Sequence, residues 1–212
     1  MKKLILSLFI AIVIGGGVIF GWKYLNRTND NQAKRENRLN YQAEKSNIEM
    51  KTKENEIDIS KEEKEIASFS TKIYNKDKER QKNIGITCKA ISLKQLQPGE
   101  TFSFCDTVGK ATRAKGYEEA DIYVDGKKEQ GLGGGNCQVS TTLYNAVSQV
   151  PELEVIERHQ HSGYVPYVQK GKDAAVAYGN YDFKFKNNTN SVIKIVMENT
   201  AESINAKLIE IK

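Results

Sequence analysis

The stretch that decides the fold reads GLGGGNCQVSTTLYNAV and covers residues 131–147. Its glycines let the backbone approach another group closely. The apolar residues that follow recur at helical spacing, which predicts a helix that begins near Cys137. In the first turn of a helix, unpaired N–H groups favour the thiolate form of a cysteine. The pattern fits a reactive thiol beside a loop able to form an oxyanion hole, and equally a core helix with Cys137 as a small buried residue.

The charge composition indicates which kinds of binding partner to expect. The chain has 212 residues and a net charge of +5, enough for one domain with appendages. No dense block of Lys and Arg is interleaved with aromatic residues, so nucleic acid is not an expected partner. A mild positive balance suits an anionic surface such as a membrane or a cell wall.

The N-terminus predicts location. Lys2 and Lys3 precede an uncharged run from Leu4 to Trp22, which as a helix would span about 28 Å, close to the hydrocarbon thickness of a bilayer. Trp22 is placed as an interfacial anchor is. We expect residues 1–22 to be a single-pass signal anchor in the cell membrane, with the rest of the chain extracytoplasmic; a cleaved signal peptide is the alternative.

The rest of the chain divides into a linker and a domain. Residues 23–66 are highly charged with sparse apolar positions, which predicts a solvated linker or stalk. Residues 67–212 are expected to form one compact domain. Apolar spacing predicts a helix over Asn83–Leu96, a hairpin around Asp125-Gly126, strands at 153–158, 164–168 and 181–186, and a terminal hairpin from 192–197 and 204–211. The predicted class is α+β, with an antiparallel sheet and a cysteine-bearing helix.

The two histidines of the chain, His159 and His161, lie two residues apart. Either is able to serve as the general base for a thiol, with Asp173 or Asp182 orienting the imidazole. The alternatives are a surface pair or a zinc site, although catalytic zinc usually needs three protein ligands. No metal and no cofactor is expected.

About 120 residues resemble the VanW domain, a family named after an accessory protein of vancomycin-resistance clusters. The matching pieces are PGETFSF at 98–104, TVG at 107–109, GY at 116–117, GGGNCQVSTTLYNA at 133–146, ERHQHS at 157–162, Tyr167, DA at 173–174 and DFKFKN at 182–187. Some clostridial members are understood to be L,D-transpeptidases that form 3-3 cross-links in peptidoglycan with the family cysteine as nucleophile.

The resemblance implies a cysteine acyltransferase acting on peptidoglycan stem peptides, with L,D-carboxypeptidase or endopeptidase side activity. It implies Cys137 as nucleophile, His161 in preference to His159 as base, and Asp173 in support. The substrate and oxyanion groups would then be Gly134, Gly135, Gln138, Ser140 and Arg158. The alternatives are a non-catalytic module that binds stem peptides and a cell-envelope assembly protein.

Two positions depart from the family pattern. Cys105 stands where asparagine is common, and Lys110-Ala111 where Pro-Arg is common. The first departure predicts a second thiol near the site, and the second predicts altered substrate contacts. Three cysteines are an odd number for an exported protein. Cys105 is able to pair with Cys88 or with Cys137, or all three remain reduced.

Overall fold

The computed structural model describes residues 38–46, 62–124 and 127–212. The chain divides into two units, Met1–Ser60 and Lys61–Lys212. In the first unit, residues 38–46 form a short helix with exposed side chains. The anchor expected at residues 1–22 and most of the expected linker lie outside the described residues. Within the ranges described, no helix is long and apolar enough to cross a membrane.

The second unit is an α+β domain, as the sequence predicts, with antiparallel sheets and a few helices. Its strands are β1 (Glu63–Lys72), β2 (Gln95–Leu96), β3 (Thr101–Ser103), β4 (Glu119–Val124), β5 (Lys127–Leu132), β6 (Leu153–Glu157), β7 (Lys184–Asn187), β8 (Val192–Asn199) and β9 (Ser203–Ile211). Its helices are α1 (Lys78–Ile91), α2 (Phe104–Val108), α3 (Asn136–Val147) and a 3-10 turn at Arg113–Lys115.

A four-stranded sheet in the order β1-β9-β8-β2 carries the core. Alternate residues of β8 and β9 are buried, as the period of two in a strand requires: Ile193, Ile195, Met197, Ile204, Ala206 and Leu208. Helix α1 packs against β8, and α3 packs against β9 and β1. A three-stranded sheet (β3-β7-β6) and the β4-β5 hairpin complete the domain. Both predicted hairpins are present, with Val124 opposite Lys127 in one and Asn199 opposite Ile204 in the other.

Four elements differ from the sequence prediction. The strand predicted at 181–186 begins only at Lys184. Strand β1 begins at Glu63, inside the segment predicted as linker, because its ordering comes from pairing with β9 and not from an apolar pattern of its own. Helix α1 ends at Ile91, before the predicted Leu96, since Leu93 has a φ of 67° and turns the chain into β2. Residues 164–168 form a loop, not a strand.

Helix α3 is buried on more than the apolar side that its spacing predicts. Val139, Leu143, Ala146 and Val147 are fully buried, and so are Ser140, Thr141 and Thr142 on its other faces. Each of these hydroxyls has a hydrogen-bond partner; the Thr142 hydroxyl, for example, donates to the Gln138 carbonyl at 2.7 Å. A helix buried on several sides is held in a fixed orientation, which matters because Cys137 lies in its first turn.

Candidate active site

The glycine loop delivers Cys137 to the start of α3. Gly135, just before the helix, has a φ of 113°, a conformation that glycine adopts readily. The Gly135 carbonyl accepts hydrogen bonds from the amides of Gln138 and Val139 at 3.0 and 3.2 Å. Among the hydrogen bonds of the described residues, none has the Cys137 amide as donor. That N–H therefore remains available to an anion at the helix N-terminus.

The loop also requires glycine for packing. A Cβ at Gly134 would lie 2.7 Å from the Asp121 carbonyl oxygen and 2.8 Å from the Ala120 Cβ, both in β4. A Cβ at Gly135 would lie 2.6 Å from Ile84 in α1. Two glycines thus let the loop fit between β4 and α1, and this close fit sets the position of Cys137.

His161 is fixed by Asp173. The Asp173 carboxylate oxygen Oδ2 accepts two hydrogen bonds of 2.6 Å, one from the His161 backbone N–H and one from the ring nitrogen Nδ1. Asp173 is almost fully buried, so this charge-assisted contact is shielded from water. Because Nδ1 is engaged by the carboxylate, Nε2 is the ring nitrogen left for the substrate side.

Cys137 is the partner of His161 on that side. The two side chains lie close enough to interact, and the Cys137 Sγ donates to the Val176 carbonyl oxygen at 3.4 Å. Burial alone would lower the pKa of His161, but the adjacent Cys137 and the Asp173 carboxylate outweigh it and raise that pKa. Burial tends to raise the pKa of Asp173, yet the hydrogen bonds from His161 prevail and lower it. The arrangement favours the protonated form of the His161 ring beside the Asp173 carboxylate.

The segment from 158 to 181, which carries His161 and Asp173, has no regular strand or helix. Hydrogen bonds hold it against α3. The Ala174 carbonyl accepts from the Ser140 hydroxyl, and the Ala174 amide donates to the Thr141 hydroxyl at 3.0 Å. The Asn145 amide group donates to the Lys172 carbonyl at 2.7 Å. The helix that carries the thiol therefore also positions the loop that carries its base.

Arg158 holds the same loop through hydrogen bonds to its backbone. Its guanidinium donates to the carbonyls of Asp173 and Gly171 at 2.7 and 2.8 Å and lies 3.6 Å from the Asp173 carboxylate. It also lies over the Tyr144 ring, 4.9 Å from the centroid. Arg158 is not among the residues that line the cleft, so the structure places it as a support for Asp173.

The other residues expected at the site lie in different surroundings. His159 contacts Glu157 through Nε2 at 3.0 Å and packs on Tyr181, outside the cleft. Asp182 accepts from the Ser103 hydroxyl and the Cys105 amide, at 2.6 and 2.8 Å, and orients neither histidine. The Gln138 side chain lines the cleft, whereas Ser140 is fully buried against the loop.

A cleft of about 690 Å³ opens over the thiol. Cys137 and His161 line it together with the glycine loop. Other lining residues are Tyr74, Arg80, Lys110, Asp121, Lys128, Val165, Pro166, Tyr167 and Tyr178. This size and mixed polarity suit a peptide-sized ligand.

Tyr167 and Arg80 were not assigned a role from the sequence. Burial, with the nearby Cys137, raises the pKa of Tyr167, so its hydroxyl stays protonated and able to donate. In the sequence, the signal for a role of Tyr167 is that it is one of the residues shared with the VanW domain. Arg80 lies in a helix far from the glycine stretch in sequence, and no local pattern marks it.

The second thiol predicted near the site does line the cleft. All three cysteines are free in the structure, so neither disulfide considered from the sequence is formed. Burial and the Asp182 carboxylate raise the pKa of Cys105 to about 12, and burial raises that of Cys88 to about 12. Both thiols thus stay protonated at neutral pH. Within the described part of the chain, no group of three or more His, Cys, Asp or Glu side chains is arranged to hold a metal.

Comparison with known proteins agrees with the resemblance. A family model described as VanW like protein matches residues 79–209. The chain belongs to the VanW family. This VanW-family chain is 44% identical over 131 residues to the protein named "Uncharacterized protein YoaR" of Bacillus subtilis (strain 168), which covers 62% of the chain and 43% of that protein.

A second relative is the Vancomycin B-type resistance protein VanW of Enterococcus faecalis (strain ATCC 700802 / V583), 32% identical over 121 residues. That match covers 53% of the chain and 42% of the relative. The VanW-family chain thus spans less than half the length of the curated relatives it matches. No solved structure matches it.

Proposed function

We propose that this protein is a cysteine acyltransferase that acts on peptidoglycan stem peptides, an L,D-transpeptidase that forms 3-3 cross-links. The observation that carries the proposal is the line of contacts from Cys137 through His161 to Asp173 at the wall of a peptide-sized cleft. A nucleophile, a base and a buried carboxylate that orients the base are the parts that acyl transfer needs.

The first half-reaction forms a thioester. His161 takes the thiol proton, and the Cys137 sulfur attacks the carbonyl of the diaminopimelate residue that precedes the terminal D-Ala. The tetrahedral oxyanion faces the N-terminus of α3, where the Cys137 amide donates to it. When the peptide bond breaks, the imidazolium gives its proton to the departing D-Ala amine.

The second half-reaction transfers the acyl group. The side-chain amine of a second stem peptide attacks the thioester, His161 accepts a proton from that amine, and the Cys137 sulfur leaves. A new amide bond forms, so the energy of the original peptide bond is conserved and no ATP is needed. If water attacks instead, the same site acts as an L,D-carboxypeptidase.

The proposed location agrees with this substrate. The uncharged run from Leu4 to Trp22 would anchor the chain in the cell membrane, with the domain in the wall outside it. One relative, the Enterococcus faecalis protein, is named for vancomycin resistance, and we extend the connection with the cell wall to this chain as part of the proposal.

The test is turnover with defined muropeptides. The protein is incubated with a disaccharide-tetrapeptide, and released D-Ala and 3-3 dimers are quantified by liquid chromatography and mass spectrometry. We expect both products from the wild type and from Cys105→Ala, a matched control in which a cleft thiol that stays protonated is removed. Neither product should form with Cys137→Ala. Equal product with Cys137→Ala would refute a thioester mechanism, and tight binding without any product from the wild type would favour the non-catalytic binding module.

A further inference from the structure

We propose that Arg80 recognises a carboxylate of the acyl donor beside the scissile bond, which makes the cleft specific for peptides that carry a free acid at this point. This inference deepens the proposed function and rests on it. Arg80 is the third residue of α1 and lines the same cleft as Cys137. A guanidinium offers five N–H donors in a planar fork that matches a carboxylate.

The orientation of Arg80 is fixed by Gln138, the residue next to the nucleophile. The Arg80 Nη2 donates to the Gln138 Oε1 at 2.7 Å. The Gln138 amide in turn donates to the Thr71 hydroxyl at 3.1 Å and to the Lys72 carbonyl at 3.0 Å. Gln138 is almost fully buried, so its position is set by β1. An arginine held in this way loses little side-chain freedom when it binds a ligand.

Arg80 lies close to the reacting groups. A Cβ built on Gly135 would be 3.6 Å from the Arg80 Nη1, and Gly135 is two residues from Cys137. The Tyr167 side chain interacts electrostatically with both Arg80 and Cys137. The guanidinium therefore shares the wall of the cleft with the thiol.

The charges around the cleft favour an anion at this position. Among the described residues that line it, the cations are Arg80, Lys110 and Lys128, and the acidic residue is Asp121. That carboxylate is already engaged: Lys128 lies 2.7 Å from it, and Asn75 and Gln130 donate to it at 3.0 and 2.6 Å. The net charge of these four charged side chains is positive, which suits a substrate carboxylate.

A tetrapeptide donor offers two such carboxylates, one on the terminal D-Ala and one on the side chain of diaminopimelate. Both lie near the bond to be cleaved, and both have the chemistry that Arg80 would bind. If the terminal acid is bound, the site acts at chain ends and disfavours internal bonds. Amide-capped peptides distinguish the two sources.

The experiment measures binding by calorimetry in a full-length Cys137→Ala background, in which no chemistry follows. Three peptides are compared: the tetrapeptide, its D-Ala carboxamide, and its diaminopimelate carboxamide. We expect one carboxamide to bind at least about tenfold more weakly than the tetrapeptide, since a hydrogen bond to a charged group is replaced by one to a neutral group. Adding Arg80→Gln should abolish that difference, and Arg80→Lys should retain part of it.

The matched control is Lys82→Gln. Lys82 lies on the same helix, is half exposed and pairs with Glu118 outside the cleft, so its removal lowers the charge equally. The difference between peptides should survive in Lys82→Gln. Equal affinity for all three peptides, no measurable binding, or a difference that persists in a folded Arg80→Gln protein would each overturn the assignment.

The two proposals fail separately. If the wild-type protein forms no thioester while the carboxamide penalty depends on Arg80, catalysis is refuted and the carboxylate site stands. If the thioester forms and the carboxamides bind as tightly as the tetrapeptide, the carboxylate site is refuted and the catalytic proposal stands.

Discussion

Replacing Asp173 with asparagine removes the charge that orients His161 while almost preserving shape. The Asp173 carboxylate accepts both hydrogen bonds from His161 on one oxygen, and its other oxygen lies 3.6 Å from the Arg158 guanidinium. An asparagine that keeps its oxygen towards His161 must point its NH₂ at the Arg158 N–H groups. In the opposite orientation, the NH₂ faces the His161 donors. Neither orientation satisfies all the donors.

The size of the effect follows from the ring contact of 2.6 Å, because the backbone contact is the same whether or not the His161 ring is protonated. A hydrogen bond to a charged group contributes about 1 to 1.5 kcal/mol more than a neutral one. One such bond gives about 1 to 1.5 kcal/mol, which corresponds to about 5- to 13-fold in the basicity of His161. Alkylation of Cys137 requires the thiolate, so its rate at pH 7 should fall by about this factor.

The assay is the iodoacetamide alkylation rate of Cys137, followed by peptide mass spectrometry between pH 6 and pH 10. The rates of wild type and Asp173→Asn should converge at high pH, where hydroxide takes over the role of His161 as the base. Asp182→Asn is the matched control, because it removes another buried aspartate that does not contact His161. A folded Asp173→Asn protein with alkylation within threefold of wild type at pH 7 would refute the reasoning.

The remaining predictions concern the loop, the histidine and the arginine. Gly134→Ala should lower the free energy of unfolding by about 1 to 3 kcal/mol, because its Cβ would lie 2.7 Å from the Asp121 carbonyl, whereas Gly163→Ala, with nothing within 4 Å, should leave the thermal midpoint unchanged. The pKa of His161 is raised in the folded protein above the value of about 6.5 for free histidine. The stabilisation from protonated His161 is therefore complete below the unfolded pKa and is lost as the pH rises through the folded pKa. Denaturant titrations should therefore show His161→Gln costing more stability at pH 6 than at pH 9, and an equal cost at both would contradict this sign. Arg158→Lys should lower the free energy of unfolding by about 1 to 3 kcal/mol, since an ammonium cannot reproduce a fork that holds two backbone carbonyls; a variant as stable as wild type would show that the fork is dispensable.

The sequence predicts the parts of this domain whose signals are local. The helix that follows the glycine loop, the hairpin around Asp125-Gly126 and the terminal hairpin are each marked by adjacent residues, and each is present. Strand β1 has no such signal, because its edge-strand residues are mostly polar and its order depends on pairing with β9, at the other end of the chain.

In the candidate site, too, some features follow from local sequence and others depend on distant contacts. The position of Cys137 in the first turn of α3 follows from spacing alone. The choice between His159 and His161 does not, because it depends on a loop without regular structure that is held by hydrogen bonds from Ser140 and Thr141. Sequence spacing places both histidines on one face of a strand, yet residues 160–161 do not continue β6, and the two rings lie in different surroundings.

The most direct test of the central claim is the mass of the intact protein after brief mixing with a disaccharide-tetrapeptide. Wild type should gain the mass of the donor minus D-Ala, and proteolysis should place the adduct on the peptide that contains Cys137. His161→Gln should form the adduct far more slowly, and Cys137→Ala should form none. A wild-type protein that releases D-Ala without any adduct on Cys137, or an adduct that persists in Cys137→Ala, would contradict the assignment of Cys137 as the nucleophile.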